Sequence, residues 1–440
     1  MFFLIYIKKV YCAILLIKKA YYNILKLGVI NMISDKVIKL IQAHELKLYD
    51  IFKKIDKVTE YNEQKVLKAM QDARLNSMQF ESSTGYGYHD VGRDAVEEIY
   101  ANIFKSESAL VRPQLVSGTH ALTCALFGNL RPGDILFSPV GKPYDTLESV
   151  IGINKTSGSL AEYGIIYKQA DLTQGGDFDY EKIAEYLKQD IKLITIQRSK
   201  GYTWRDSFTI DKISYLISFI RKINKHAIIM VDNCYGEFVE TTEPIEIGAD
   251  LVVGSLIKNP GGGLAPMGGY IVGKSQYVQK AADRLTAPGL GMELGSSMNL
   301  TRTILHGVFI APTTVAGAVK GAILVASVFE SLGYKVLPTP FEQRTDIVQA
   351  IHLGTPEKVK AFCQAIQKAS PVDSFVTPEP APMPGYDKHV IMAGGTFIQG
   401  SSIELSADAP ICEPYNVFFQ GGLTYSHAKI GVMFAVEKFI

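Results

Sequence analysis

Lys258 ends the run ADLVVGSLIK and is followed by Asn259-Pro260-Gly261-Gly262-Gly263. A lysine just past a buried apolar strand needs a partner or water for its ammonium. Condensing its amine with an aldehyde would remove that cost, because the nitrogen then belongs to a Schiff base. The glycines after it would let a bulky planar group approach the backbone. Asp232 closes a second apolar run, HAIIMVD, ahead of Asn233-Cys234-Tyr235-Gly236. A fixed carboxylate there could keep a pyridine nitrogen protonated, which makes the ring an electron sink. Ser117-Gly118-Thr119 stands between a strand-like run and an apolar helix. Helix N–H groups and hydroxyls at such a junction suit a phosphate dianion. Ser255, three residues before Lys258, would add another hydroxyl, and Tyr144 in GKPYDTLE offers an aromatic face for a ring to stack on.

Each of these residues also has an ordinary reading: a solvated loop lysine, a carboxylate that caps a turn, serine and threonine as helix N-caps, a tyrosine in core packing. Their coincidence in chain order is what points to pyridoxal 5'-phosphate. Phosphate cup, stacking ring, pyridine anion and Schiff-base lysine follow one another along the sequence. His89 and His120 flank these motifs and read as capping or packing residues. No cluster has metal-ligand spacing, so no metal is expected.

The elements that must carry these residues alternate. Strand-like runs at 109–116, 134–139, 165–171, 191–197, 226–232 and 249–255 are separated by helical periodicity at 121–130, 180–189 and 211–224. This order predicts an α/β fold whose mostly parallel sheet is covered on both faces, with the ligand at the carboxyl ends of its strands. A final strand over 268–273 and a small-residue helix over 315–332 lead towards a second α+β unit. The expected division is an N-terminal helical and loop segment over 32–93, a large cofactor-binding domain over 94–320 and a small C-terminal domain over 321–440. Residues 1–31 read as an extension outside the folded unit, either a misassigned start ahead of Met32 or a disordered segment. Their lysine pairs leave too short an apolar stretch to span a bilayer.

Composition narrows the functional classes. With 45 Lys+Arg against 44 Asp+Glu, the chain has no net field for a nucleic acid or an anionic membrane. Five scattered cysteines without a C-x-x-C pair argue against a disulfide framework or a zinc site, and for a reducing cytoplasm.

SGTHA, PYDTLE, VDNCYGEF and GSLIKNPGGG follow the order seen in cystathionine/methionine lyase-type enzymes of the aspartate-aminotransferase fold (fold type I). The longer strings GYGYHDVGRDAVEEIYANIF, LVRPQLVSGTHAL, QRSKGYTWR and GSSIELSAD resemble the methionine gamma-lyase-related family often labelled "aluminium resistance protein". The resemblance implies a pyridoxal-phosphate-dependent carbon–sulfur lyase acting on a cystathionine-, methionine- or cysteine-type amino acid. In it Gly118, Thr119 and Ser255 would hold the phosphate, Tyr144 would stack on the ring and assist at the leaving group, Asp232 would face the pyridine nitrogen, and Lys258 would form the Schiff base. It also implies a homo-oligomer, at least a dimer and alternatively a tetramer, in which Tyr86, Tyr88 and Arg93 would reach a neighbour's site. A different pyridoxal-phosphate reaction, such as transamination or decarboxylation, and a non-catalytic stress or metal-tolerance protein are the alternatives. The sequence departs from the wider group at Glu404, where an arginine for the substrate carboxylate is expected, and at Cys412. Arg198, Arg205 and Arg302 are the substitutes for that arginine.

Overall fold

The computed structural model describes residues 33–440 apart from 82, 87–89, 384 and 387. Tyr88, His89 and the extension over 1–31 therefore lie outside the described residues. Two helices open the fold, α1 (Asp35–Lys47) and α2 (Tyr49–Asp72), followed by α3 (Val91–Phe104). Their starts are set locally: Ser34 accepts a hydrogen bond from the Val37 N–H, and Asp90 from that of Arg93.

Alternation then takes over. Strands β1 (Ser108–Arg112), β2 (Ile135–Ser138), β3 (Ile166–Gln169), β4 (Ile191–Gln197), β5 (Ile228–Asp232), β6 (Leu251–Ser255) and β7 (Gly269–Gly273) form one sheet. The helices α4 (Gly118–Asn129), α5 (Asp145–Ile151), α6 (Tyr180–Tyr186), α7 (Ile210–Ile223) and α8 (Ser275–Leu285) flank it. The strand order is β1-β7-β6-β5-β4-β2-β3. Pairing is parallel from β3 across to β6, and β7 runs antiparallel to both β1 and β6. β5 and β6 are buried at every residue because helices cover both sheet faces, which is why their sequences are continuously apolar. α7 shows the complementary pattern: Ile210, Ile213, Leu216, Ile217 and Ile220 face the core, at the helical period.

One long helix, α9 (Thr301–Ser331), links this sheet to the rest. The sequence predicts this helix only from Val315; it begins instead at Thr301 and runs through Pro312. It is long and apolar enough to cross a membrane by length and composition, yet 78% of its most apolar window is buried inside the protein. That apolarity is the signature of a helix enclosed by other elements. The N-terminal helices pack along it, with His44 Nδ1 hydrogen bonded to Ser327 Oγ at 2.7 Å. The expected domain boundary at 320/321 falls inside α9, so the two sheets share one continuous helix.

The second sheet contains β8 (Lys335–Leu337), β9 (Gln349–His352), β10 (Val390–Ala393), β11 (Ser406–Pro410) and β12 (Asn416–Gln420), in the order β10-β11-β12-β9-β8 and entirely antiparallel. Helices α10 (Pro356–Lys368) and α11 (Tyr425–Val436) complete the chain and pack with α9 on this sheet. Its other face turns to the large sheet. Phe418 packs on Tyr202 with ring centroids 5.3 Å apart, and Ser199 Oγ donates to Asp346 at 2.8 Å. The loops that leave β4 and β5 are thus sandwiched between the two sheets.

Candidate active site

β4, β5 and β6 are neighbours in parallel register, with Gln197 opposite Asp232 and Asp232 opposite Val253. Their carboxyl ends therefore deliver Gln197, Asp232 and the Ser255–Lys258 turn to one edge of the sheet. Asp232 is buried, and its Oδ1 accepts the Cys234 N–H at 3.1 Å. Lys258 leaves β6 and places Nζ 4.0 Å from the centre of the Tyr235 ring. Tyr235 adopts φ 74°, a left-handed conformation that costs a tyrosine on the order of 1–3 kcal/mol, and its hydroxyl donates to Ser402 Oγ at 3.2 Å. Burial disfavours the Lys258 ammonium, but Cys234, Tyr235, Asp232 and Tyr144 outweigh it and hold its pKa well above the ordinary lysine range. The Lys258 amine and the Asp232 carboxylate are thus brought within electrostatic reach of each other.

The Ser117-Gly118-Thr119 turn, the candidate phosphate cup, lies where α4 begins. Ser117 is its N-cap, with Oγ accepting from the His120 N–H at 3.0 Å. Ser117 is therefore committed to capping, which leaves the first-turn N–H groups, without intrahelical partners, as the donors an anion could use. Gly118 packs against β6: a Cβ there would sit 3.2 Å from Ser255 Cβ and 3.6 Å from Cys234 Sγ. A side chain would fill this cradle, and glycine leaves it open beside the Ser255 hydroxyl. His120 has the structural role expected of it, as Nδ1 accepts from the Val116 N–H at 3.2 Å.

Tyr144 stands at the start of α5, where its hydroxyl is 2.8 Å from Thr119 Oγ1, and Thr119 is also 3.1 Å from Thr146 Oγ1. Burial and the Asp232 charge push the Tyr144 pKa upward against the pull of Thr119, Thr146 and Lys258, so the phenol keeps its proton. Its backbone N–H is fixed by Gln197 Oε1 at 2.9 Å.

The glycines after Lys258 need a different account from the one the sequence invites. A Cβ on Gly262, at φ 56°, would lie 2.3 Å from the Gly307 carbonyl oxygen of α9, and one on Gly263 would lie 2.2 Å from Leu423. They make room for the protein's own chain, α9 at Gly262 and Leu423 at Gly263.

Other expected residues lie elsewhere. Arg93 is 4% exposed, and its Nη1 donates to the Glu293 carbonyl at 3.1 Å; it points into its own subunit because Asp90 caps α3 beside it. Tyr86 is 86% exposed. Arg198 is enclosed and spends its guanidinium on Asn233, Gly236, Glu240 and Thr345, which removes it as a substrate ligand. Arg302 lies over the Phe80 ring on the outer side of α9. Arg205 also lies beside the strand ends, donating to the Ser199 and Gln197 carbonyls. Glu404 accepts the Phe397 and Ile398 N–H groups, each at 2.9 Å. A loop staple needs an acceptor, and an arginine there would offer only donors. Cys412 lies in the turn after β11, its carbonyl accepting from Tyr415 N–H.

Sequence reasoning passed over Gln197, Tyr202 and Asp408. Gln197 had a usable signal, since it ends an apolar strand as Asp232 does. Tyr202 and Asp408 meet only through the packing of two sheets, with Tyr202 against Phe418, the register partner of Asp408.

Comparison with known proteins follows the same lines. Residues 37–440 match the methionine gamma-lyase family model. The uncharacterized protein YnbB of Bacillus subtilis is 50% identical over 396 residues, which is 90% of this chain and 94% of that protein. The crystal structure of a carbon-sulfur lyase involved in aluminum resistance from Clostridium novyi is 48% identical with a TM-score of 0.90, covering 95% of this chain and 99% of that one. A cystathionine gamma synthase from Xanthomonas oryzae, 18% identical with a TM-score of 0.55 over 80% of this chain and 86% of that one, shares the fold alone. The architecture is fold type I, as the strand pattern and resemblance predict. On sequence and structure together, the chain belongs to the methionine gamma-lyase family.

Proposed function

We propose that this protein is a pyridoxal-phosphate-dependent carbon–sulfur lyase, which releases a thiol, a 2-oxo acid and ammonia from a sulfur-containing amino acid. The observation that supports it most is the convergence of the Lys258 amine and the Asp232 carboxylate, from two strand ends, beside the Gly118–Ser255 cradle. These residues suit the cofactor: a glycine-lined cup at a helix N-terminus for its phosphate, a buried anion for its ring nitrogen, and an amine over an aromatic face for its aldehyde.

When bound, pyridoxal phosphate supplies an electron sink for a carbanion at the substrate Cα. The chain supplies the proton handling. Lys258 Nζ would be the covalent anchor and, once freed as a neutral amine, the base that takes the α-proton, with the Tyr235 ring beneath it. Tyr144, protonated and tied to Thr119, is placed to give a proton to the departing sulfur. The loops from β4 and β5, roofed by the second sheet, keep bulk water from the reacting carbon. Purified protein should absorb in the visible, shift that band when cystathionine, methionine or cysteine is added, and release a thiol; Lys258→Ala should lose all three. Amino transfer to a keto acid without thiol release would replace elimination by transamination.

The same reading makes the protein a cytosolic homo-oligomer. Segments 83–85, 114–116 and 295–298 are tied together by the Gly295–Gly85, Gln114–Ser296 and Ser296–Ser83 hydrogen bonds. They expose Tyr86, Val116 (63%) and Met298 (54%) beside the cup, an apolar rim that a second copy would cover. Light scattering that gives a monomer would remove this part of the reading.

A further inference from the structure

Above the lysine, the face of the second sheet that turns to the large sheet brings a carboxylate to the aromatic wall. Asp408 is half-buried in β11, and Phe418 is its register partner on β12. Directly paired residues share a sheet face, and Phe418 clusters with Tyr202 and Tyr235 on that face. Tyr202 also packs on Tyr386 with ring centroids 5.7 Å apart. The Asp408 neighbours that set its charge are neutral: Gln420 Nε2 donates to Oδ2 at 2.9 Å, and the Tyr202 hydroxyl lies against it. No cation among the described residues helps to set its pKa, and burial pushes it up to about 7. Tyr235 joins the two levels, since one face carries the Lys258 amine and its surroundings include Asp408.

A carboxylate without a cation, beside a group of aromatic faces, is built to receive a cation. We propose that Asp408, with Tyr202, Tyr235 and Tyr386, recognises a protonated nitrogen at the far end of the substrate side chain. The preferred substrate is then an amino acid whose thioether carries an ammonium group beyond the sulfur. This rests on the reading of Lys258 as the site that takes up an amino acid.

A matched pair of ligands tests it: S-(2-aminoethyl)cysteine ends in an ammonium, and S-propylcysteine replaces that group by a methyl at the same length. Titrating the holoenzyme by its visible absorption should show the charged ligand binding roughly tenfold to a hundredfold more tightly, as expected of a charge-assisted hydrogen bond. Asp408→Asn should bring the two affinities together. Equal affinities in the unaltered enzyme, which need no variant to fold, would overturn the inference while leaving the amino-acid site intact. So would a preference that survives in Asp408→Asn. A spectrum that neither ligand perturbs would instead remove the amino-acid reading, and the inference with it.

Discussion

The floor and the roof of the candidate site are built by different means. The floor is three adjacent parallel strands whose ends carry Gln197, Asp232 and the Ser255–Lys258 turn. Each functional group there sits at or within a few residues of the end of a largely buried strand, so its position is fixed by the sheet ladder itself. The roof is the inward face of an antiparallel sheet, where Asp408, held by Gln420, and Phe418 meet Tyr202 from a loop of the other sheet. There, position depends on how two layers pack. The floor holds what every substrate of the proposed reaction needs, and the roof holds what distinguishes one side chain from another.

If that division is right, the largest losses come from the floor. Asp232→Asn removes a buried anion from beneath the proposed ring nitrogen. Losing one partner of a buried charge pair costs about 3–5 kcal/mol, so cofactor affinity or kcat should fall on the order of a hundredfold or more. Cofactor titration and steady-state rates measure it. A loss of less than about tenfold would mean that the floor is not where the ring is held.

The support beneath the floor predicts a pH effect. Glu237 is fully buried, accepts the Tyr270 hydroxyl at 2.7 Å, and its carbonyl accepts from Asn259, next to Lys258. Burial pushes its pKa up from 4.5 to about 8. The folded state therefore holds a proton that the unfolded chain gives up, and stability falls as pH rises between those two values. The slope is roughly 1.4 kcal/mol per pH unit for one such group, so about 2–3 kcal/mol is lost between pH 6 and pH 8. Glu237→Gln should flatten that part of the profile and make the protein relatively more stable at pH 8. Thermal unfolding of both proteins across this range decides it. Parallel profiles would show that Glu237 does not set it.

The smallest expected effect on the floor is at its edge. Tyr144→Phe keeps the ring and removes the hydroxyl that meets Thr119. One neutral hydrogen bond is worth about 1 kcal/mol, so cofactor affinity should weaken roughly fivefold. A larger drop in kcat than in affinity would favour Tyr144 as the acid at the leaving sulfur.

The contrast also explains what the sequence reveals. Lys258, Asp232 and the Ser117-Gly118-Thr119 turn are legible because each ends or begins a regular element, and apolar periodicity marks those ends. The β4 strand can be read to its exact bounds, 191–197, since every residue but Lys192 and Gln197 is buried. Asp408 carries no such signal: it sits mid-strand in SADAP, and its meaning comes from Tyr202, far away along the chain. The first turns of α9, before Val315, carry no such mark either, because packing sustains a helix there through Pro312 against its local propensity. The glycines after Lys258 mark close approach correctly, but the approaching groups are the protein's own, α9 at Gly262 and Leu423 at Gly263. Glu404 shows the converse, where a residue out of keeping with the wider lyases has a local purpose in pinning the loop at Phe397 and Ile398.

The central claim is that Lys258 and no other lysine is joined to the cofactor. Reducing the purified protein with borohydride fixes such a link irreversibly, and peptide mass analysis then locates it. The prediction is a single pyridoxyl-phosphate adduct, on the peptide that contains Lys258, with none in Lys258→Ala. An adduct on a different lysine, or an unmodified Lys258 in protein that carries the cofactor, would contradict it.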